Sequence, residues 1–123
     1  MNNNKKFSIG CRIKSVCFAI EGIATFFKTQ HNAWIHAFAA ILVVFAGFFF
    51  KVNSSEWCLL TFAIAFVLIA EMLNTAIEFL TDIVSPVYNQ KAKMVKDVAA
   101  GAVLIASIAA VVIGLIVFLP KIF

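Results

Sequence analysis

Three long apolar segments constrain the fold more than any other feature of this chain. They cover residues 33–50, 57–80 and 98–119. Each is long enough for an α-helix to cross a hydrocarbon core about 30 Å thick, which takes roughly 18 residues or more. Because lipid offers no hydrogen-bond partner to the backbone, such segments cross a bilayer as helices. The sequence therefore predicts an all-α membrane protein with three transmembrane helices.

The composition places the whole chain in that membrane domain. Of its 123 residues, 63% are hydrophobic and 13% are charged, and Phe alone occurs 14 times. An ordinary soluble domain carries about 25% charged residues, so the composition excludes a soluble enzyme. A chain of this length has room for one domain, and we predict that residues 1–123 form it. Any chemistry must then be done by the membrane helices and the segments that flank them.

Ahead of the first span, residues 11–30 show a helical pattern of apolar and charged side chains. The apolar residues recur at spacings of three and four, and the charged residues lie between them. The apolar set is Ile13, Val16, Ile20, Ile23 and Phe27, and the charged set is Arg12, Lys14, Glu21 and Lys28. This pattern is typical of an amphipathic helix on the membrane surface, although a buried first helix of a bundle would show a similar one.

Basic residues are distributed unequally between the two sides of the predicted membrane. Three spans place the N-terminal segment and segment 82–97, which we interpret as a solvated loop and helix start, on the same side. That side carries Lys5, Lys6, Arg12, Lys14, Lys28, Lys91, Lys93 and Lys96, whereas the other carries Lys51 and Lys121. Because positively charged flanks remain in the cytoplasm, we predict that the first side is cytoplasmic. Pro86 and Pro120 are expected to end the second and third spans.

The second span contains an acidic stripe, which we define as Glu71, Asn74, Glu78 and Asp82. Spacings of three, four and four residues place these side chains on one face of a helix. Glu71 lies roughly 10 Å from Glu78 along the helix axis, on the side away from the basic segment. A carboxylate at such a depth costs about 2.5–3.5 kcal/mol to insert, so an acid there is a functional candidate by default.

The stripe offers different chemistry at two depths. Glu78 and Asp82 lie near the interface, close to Lys96 and Asp97, and their oxygens suit a hard divalent cation. Glu71 is deeper and is placed to accept a proton from a lipid hydroxyl. The sequence contains no G-x-x-x-x-G-K-[ST] or G-x-G-x-x-G phosphate-binding loop, so carboxylates, a metal ion and lysine would have to hold a nucleotide.

Two other interpretations remain open. The chain could be a structural helical bundle with Glu71 as a buried polar contact, or a small proton-coupled membrane transporter. A transporter needs a polar path to both faces, yet the far halves of spans two and three offer only Thr61 and Ser107. We interpret His31 and His36 as hydrogen-bonded residues near a helix end. Since three spans cover the stripe only partly, we expect a homo-oligomer, and we expect no nucleic-acid partner.

Three motifs together resemble the small prokaryotic diacylglycerol kinase and undecaprenol kinase family of integral membrane enzymes. They are "HNAWIH" at the start of span one, "EMLNTAIEFLTD" in span two and "KMVKDVAAGAVL" leading into span three. The resemblance covers residues 12–121. It implies a homotrimer of three-span subunits, each with a surface helix, and active sites between subunits at the cytoplasmic side of a bacterial inner membrane. It also implies a Mg²⁺-dependent kinase that transfers the γ-phosphoryl group of ATP to a membrane lipid alcohol, diacylglycerol or undecaprenol.

The resemblance also implies roles for individual residues. Glu71 matches the catalytic general base on the lipid hydroxyl, and Asn74 matches a supporting polar residue of the active site. Glu78 matches a magnesium ligand. The positions implied to bind ATP are Gln30, Glu78, Asp82, Lys96 and Asp97.

Gln30 departs from the family pattern. Family members usually carry a second metal-binding Glu in the surface helix, within a Glu-x-Asn-x-x-Ile-His motif, where this chain has Gln30. An amide offers magnesium a carbonyl oxygen but no negative charge. We therefore expect Gln30 to belong to the metal and ATP site, and to hold magnesium more weakly than a Glu would.

Overall fold

The computed structural model describes residues 8–123, and within that range the protein is built from four α-helices. They are α1 (Ile9–Thr29), α2 (His31–Phe49), α3 (Ser54–Val84) and α4 (Gln90–Ile122). The described range contains no β-strand, and the predicted all-α fold is confirmed. Lys5 and Lys6, which we assigned to the cytoplasmic side, lie outside the described residues.

Helices α2, α3 and α4 are each long and apolar enough to cross a membrane, which confirms the three predicted spans. The helices are longer than the apolar segments within them. Segment 82–97, which we interpreted as a loop and helix start, is mostly helical because α3 and α4 both extend into it. Only residues 85–89 connect the two helices. The polar side chains at the two ends of this segment therefore stand on helices rather than on a loop.

The two prolines act differently. Pro86 follows directly after the end of α3, as predicted. Pro120 does not end α4, contrary to the prediction, because the helix continues to Ile122. Proline fixes φ near the helical value and removes a single backbone N–H. Beyond it, the N–H of Phe123 still donates to the carbonyl of Leu119 at 3.0 Å, so Pro120 is accommodated in the last turn.

The antiparallel pair of α3 and α4 is the main packing unit of the chain. An ion pair lies near each end: Lys96 Nζ is 2.6 Å from Asp82 Oδ1, and Lys121 Nζ is 3.0 Å from Glu56 Oε1. Small side chains between these ends let the helix backbones approach closely. The buried apolar residues of the two helices are Leu60, Ala63, Val67, Ala99, Ala106 and Val117. The two contacts fix the register of α3 against α4.

Asparagine caps begin both helices of this pair. Asn53 Oδ1 accepts from the N–H of Glu56 at 2.9 Å, and Glu56 Oε1 accepts from the N–H of Asn53 at 3.0 Å. This capping box satisfies two of the backbone donors at the start of α3. Asn89 Oδ1 accepts from the N–H groups of Lys91 and Ala92 at 2.8 and 3.4 Å. Each helix start is therefore set by its local sequence.

Helix α1 contacts the rest of the chain through its C-terminal end. The N–H of Gln30 donates to the carbonyl of Phe26 at 3.0 Å, and Trp34 Nε1–H donates to the carbonyl of Phe27 at 2.8 Å. Phe26 is the buried residue of α1, whereas its apolar face is open, with Ile13 60% exposed. Within this chain α1 is not a buried bundle helix, and its position on the membrane surface remains our prediction.

The far end of α2 packs against α3 through a glycine. A Cβ atom placed on Gly47 would lie 2.5 Å from the indole ring of Trp57, and the ring centroids of Trp57 and Phe48 are 4.9 Å apart. The indole therefore occupies the space that a larger residue at position 47 would need. Trp57 therefore holds α2 to α3.

We predict that Gly47→Ala destabilises the protein by about 1–3 kcal/mol, the usual cost of forcing an extra methyl group into a packed contact. Thermal unfolding in detergent micelles measures the change. Gly114→Ala is the matched control, because a Cβ at Gly114 meets nothing within 4 Å. An equal or higher unfolding temperature for Gly47→Ala than for Gly114→Ala would contradict the prediction.

Candidate active site

The deepest acid of the stripe, Glu71, is held by a histidine from another helix. His36 Nε2 on α2 lies 2.7 Å from Glu71 Oε1 on α3. Glu71 is buried, with 7% of its surface exposed. Thr75 donates its hydroxyl to the backbone carbonyl of Glu71 at 3.0 Å, which leaves the carboxylate to the histidine. The structure thus places an acid and an imidazole in contact inside the membrane-spanning part of the chain.

Sequence reasoning missed His36 as a member of this site. We interpreted it as a residue near a helix end, whereas it lies in the second turn of α2 with its side chain directed to α3. One signal was present in the sequence. A titratable residue inside an apolar span is a functional candidate, and His36 satisfies that criterion as Glu71 does.

The middle of the stripe joins Asn74 to Glu78. Asn74 Nδ2 donates to Glu78 Oε1 at 3.2 Å. This contact fixes the orientation of the amide, because the reverse orientation would set two acceptor oxygens against each other. Asn74 Oδ1 is buried, and none of the described residues donates a hydrogen bond to it. An orphaned carbonyl oxygen beside a carboxylate is a donor set that fits a hard cation such as Mg²⁺.

The shallow end of the stripe is ion-paired to α4. Lys96 Nζ lies 2.6 Å from Asp82 Oδ1, and Asp97 Oδ2 is paired with Lys93 Nζ at 2.6 Å. The hydrogen bond to Asp82 raises the pKa of the Lys96 ammonium, and the negative charges of Asp82 and Glu78 act in the same direction against desolvation. Lys96, which precedes the apolar part of α4, therefore remains a cation at neutral pH.

Gln30 stands apart from the stripe. It lies between α1 and α2, is half-buried, and its amide donates to Thr29 Oγ1 at 3.5 Å. No hydrogen bond joins Gln30 to Glu78 in the described part of the chain. Nor do residues 8–123 contain a group of three or more His, Cys, Asp or Glu side chains placed to hold a metal ion. Among the described residues, a single chain therefore does not bring together Gln30 and Glu78, the metal ligands that the sequence predicts.

Burial along the stripe follows depth. Glu71 is buried, Asn74 and Glu78 are half-buried, and Asp82 is exposed. The distance along α3 from Asp82 to Glu71 is about 16 Å, from the rise per residue of an α-helix. One helix thus presents a surface-exposed, cation-paired carboxylate at one end of the stripe and a buried carboxylate at the other.

An apolar cavity of about 330 Å³ lies between α2, α3 and α4, next to the deep end of the stripe. Its wall includes His36 and Ser107, together with small residues such as Ala40, Ala63 and Gly114. Cavities of roughly 300–1,000 Å³ are typical of small-molecule sites. The imidazole of His36 belongs to this wall and also contacts Glu71, so it links the apolar cavity to the buried carboxylate.

Known proteins are similar in sequence to this chain over most of its length. Residues 17–118 match the family described as prokaryotic diacylglycerol kinase. An undecaprenol kinase from Bacillus subtilis (strain 168) is 38% identical over 108 residues, which cover 88% of this chain and 88% of that protein. A diacylglycerol kinase from Synechocystis sp. is 39% identical over 104 residues, which cover 84% of this chain and 59% of that protein. This chain belongs to the prokaryotic diacylglycerol kinase family.

Proposed function

We propose that this protein is an integral membrane lipid kinase that transfers the γ-phosphoryl group of ATP, with Mg²⁺, to the hydroxyl of diacylglycerol or undecaprenol. The names of its relatives support the class of reaction. The observation that carries the proposal is the acidic stripe, in which a buried Glu71 and an exposed, lysine-paired Asp82 stand on one helix. A lipid hydroxyl and a soluble nucleotide need functional groups at these two depths.

Glu71 acts on the lipid hydroxyl as general base. It lies within the membrane-spanning part of α3, where an embedded alcohol can reach it, and only its Oε1 is engaged by His36. Its other carboxylate oxygen makes no hydrogen bond within the described residues. A carboxylate held in this way orients the hydroxyl and accepts its proton as the phosphorus–oxygen bond forms.

Glu78 and Asn74 would hold Mg²⁺ together with the phosphates of ATP. Magnesium is usually bound by one or two carboxylates plus substrate phosphates, and these residues provide one carboxylate and one unpartnered carbonyl oxygen. When bound, the ion neutralises charge on the phosphates and on the transferred group. Gln30 is proposed as a weaker, uncharged member of the same site.

Lys96, Asp82 and Asp97 would bind the rest of the nucleotide. Lys96 is a cation on the first turns of α4, and its present partner is the exposed Asp82. A phosphate group of ATP can replace Asp82 as the partner of Lys96. The ammonium group of Lys96 then offsets the negative charge of that phosphate. Asp97 is held by Lys93 at the same end of the helix pair, which keeps a carboxylate beside the phosphate-binding lysine.

We place this end of the helix pair at the cytoplasmic face of the bacterial inner membrane. Lys28 at the end of α1 and the lysines at the start of α4 lie at this end, whereas Lys51 and Lys121 lie at the other. The excess of positive charge on one side supports a cytoplasmic orientation, in which cytosolic ATP has access to Lys96.

The proposed assembly is a homotrimer with active sites shared between subunits. Two observations support it. Glu78 and Asn74 are only half-buried in the single chain, and among the described residues no hydrogen bond joins Gln30 to either of them. The spans also bury little of their own surface, and α2 has Ala33 and Gly47 as its buried residues. A neighbouring subunit would cover the stripe and complete the donor set around Glu78.

The far end of the helix pair argues against a transporter. Beyond Glu71, the buried residues between α3 and α4 are apolar, among them Leu60 and Val117. The next charged groups of these helices are Glu56 and Lys121, paired at 3.0 Å. Protons crossing the membrane would need a continuous series of polar groups in between, and α3 and α4 offer only the hydroxyls of Thr61 and Ser107 there.

The direct test of the proposed function offers diacylglycerol and undecaprenol in parallel to the purified protein in mixed micelles with γ-labelled ATP. We expect labelled phosphate in at least one lipid, and Glu71→Gln should lower turnover roughly 10²- to 10⁴-fold, as the loss of a general base does. Glu21→Gln is the matched control, because Glu21 is an exposed acid on α1 outside the acidic stripe. Failure of the parent protein to label either lipid would refute the kinase proposal, and near-parental turnover of Glu71→Gln would exclude Glu71 as the base.

A subunit-mixing experiment tests the shared sites. We propose that each shared site takes Glu71 and Lys96 from different subunits. Glu71→Gln and Lys96→Ala subunits, each inactive alone, should then regain part of the activity when they assemble together, because a mixed trimer can form some sites with both residues intact. Co-reconstitution followed by the lipid kinase assay measures the recovery. A species that remains strictly monomeric by mass in detergent would contradict the assembly proposal.

A magnesium titration tests the place of Gln30. Gln30→Glu should lower the magnesium concentration for half-maximal activity by about tenfold, the low end of the usual effect of groups supporting a metal, whereas Gln30→Ala should raise it. Gln90→Glu is the charge-matched control at the same end of the molecule. If Gln30→Glu and Gln30→Ala both titrate like the parent protein, Gln30 lies outside the metal site.

A further inference from the structure

We propose that His36 is a positioning residue for Glu71. In this arrangement the neutral imidazole donates its Nε2–H to Glu71 Oε1, which fixes the carboxylate and leaves Oε2 for the lipid hydroxyl. The inference rests on the proposed function, because it requires Glu71 to act as the general base of a lipid kinase. It adds a residue of α2 to a site whose other proposed members are Gln30 and residues of α3 and α4.

The contact is short and is made between helices. His36 Nε2 and Glu71 Oε1 are 2.7 Å apart, within the normal range of a charge-assisted hydrogen bond. In the described part of the chain, it is the only hydrogen bond between side chains of α2 and α3. The rotation of the Glu71 carboxylate is therefore controlled by a residue 35 positions away in sequence.

A glutamate that acts as a base needs such a partner to hold its carboxylate in a defined position relative to the substrate hydroxyl. Its side chain has several rotatable bonds, and freezing them costs free energy that a hydrogen bond can offset. The hydroxyl of Thr75 bonds to the backbone of Glu71 and not to its carboxylate. Reactive groups held in place contribute to rate because a displacement of about 1 Å can cost 10²-fold. His36 is the group that supplies this restraint.

We assign the proton of the neutral imidazole to Nε2 as part of the proposal. A neutral imidazole with the proton on Nε2 donates to the carboxylate and leaves Glu71 with its negative charge available for the substrate. A permanently protonated imidazole would neutralise that charge and weaken the base. His36 also lines the apolar cavity, so the pair is positioned where an apolar molecule between α2, α3 and α4 meets the carboxylate.

The alternative is that His36 only holds α2 against α3 as a packing contact. His36→Leu, His36→Gln and His36→Asn separate the two roles. Leu fills space without a donor, Gln can place an amide N–H near the position of Nε2, and Asn is too short to reach it. His31→Leu is the matched control, because His31 is on the same helix and exposed.

We expect His36→Leu and His36→Asn to lower kcat roughly 10- to 100-fold, as loss of positioning does, with little change in KM for ATP. His36→Gln should recover most of the lost kcat, and His31→Leu should retain the parental value. Unfolding temperatures in the same detergent show which variants are folded. If His36→Leu fails to fold, the comparison of Gln with Asn decides the question, and equal kcat for those two variants would overturn the proposal.

A double variant tests whether His36 acts through Glu71. Residues that act as a unit have non-additive effects on rate, so His36→Leu should cause no further loss of residual kcat in a Glu71→Gln background. The same fold loss in both backgrounds would overturn the proposal. Parental kcat in every His36 variant, together with an inactive Glu71→Gln variant, would also overturn the proposal. The kinase function would still stand in that case. A parent protein inactive on both lipids would refute the kinase function itself, and the proposal for His36 with it.

Discussion

The packing of α3 against α4 is the interaction on which the rest of the structure depends. The acidic stripe belongs to α3, and the basic groups that face it belong to the start of α4. The antiparallel register is fixed by Lys96 with Asp82 near one end and by Lys121 with Glu56 near the other. Because each helix is long and apolar enough to cross the membrane, this single interface sets the relative depth of the polar groups of α3 and α4 that the proposed reaction uses.

The low polarity of the membrane explains why these groups are ordered by depth. An isolated carboxylate in lipid is costly, so a buried acid needs a partner, whereas an exposed one can exchange partners with solvent or ligand. Glu71 has His36 as a partner on another helix, and Asp82 has Lys96 in an exposed ion pair. The buried His36–Glu71 pair suits a catalytic role that requires an immobile carboxylate. The exposed Lys96–Asp82 pair suits the binding and release of a soluble anion.

The sequence predicts the features that depend on local periodicity, and it misses those that depend on contacts distant in sequence. The three spans and the one-sided stripe follow from apolar length and from spacings of three and four, which any helix obeys. The ends of the helices do not follow, because α3 and α4 continue into solvated segments after their apolar residues stop. The partner of Glu71 could not be identified, because no periodic pattern relates His36 on α2 to a residue 35 positions later.

The middle of the stripe is where the single chain is least complete. Asn74 Oδ1 is buried and has no hydrogen-bond partner within residues 8–123, and a native structure normally satisfies such a group. Its neighbour Glu78 contributes one carboxylate, and Gln30 stands elsewhere between α1 and α2. One carboxylate and one amide oxygen are too few ligands for a permanent magnesium site, yet they are sufficient when phosphate oxygens supply the rest. In the proposed enzyme, metal affinity would therefore be coupled to the presence of the nucleotide, so that the ion and the phosphates it neutralises arrive at the stripe together.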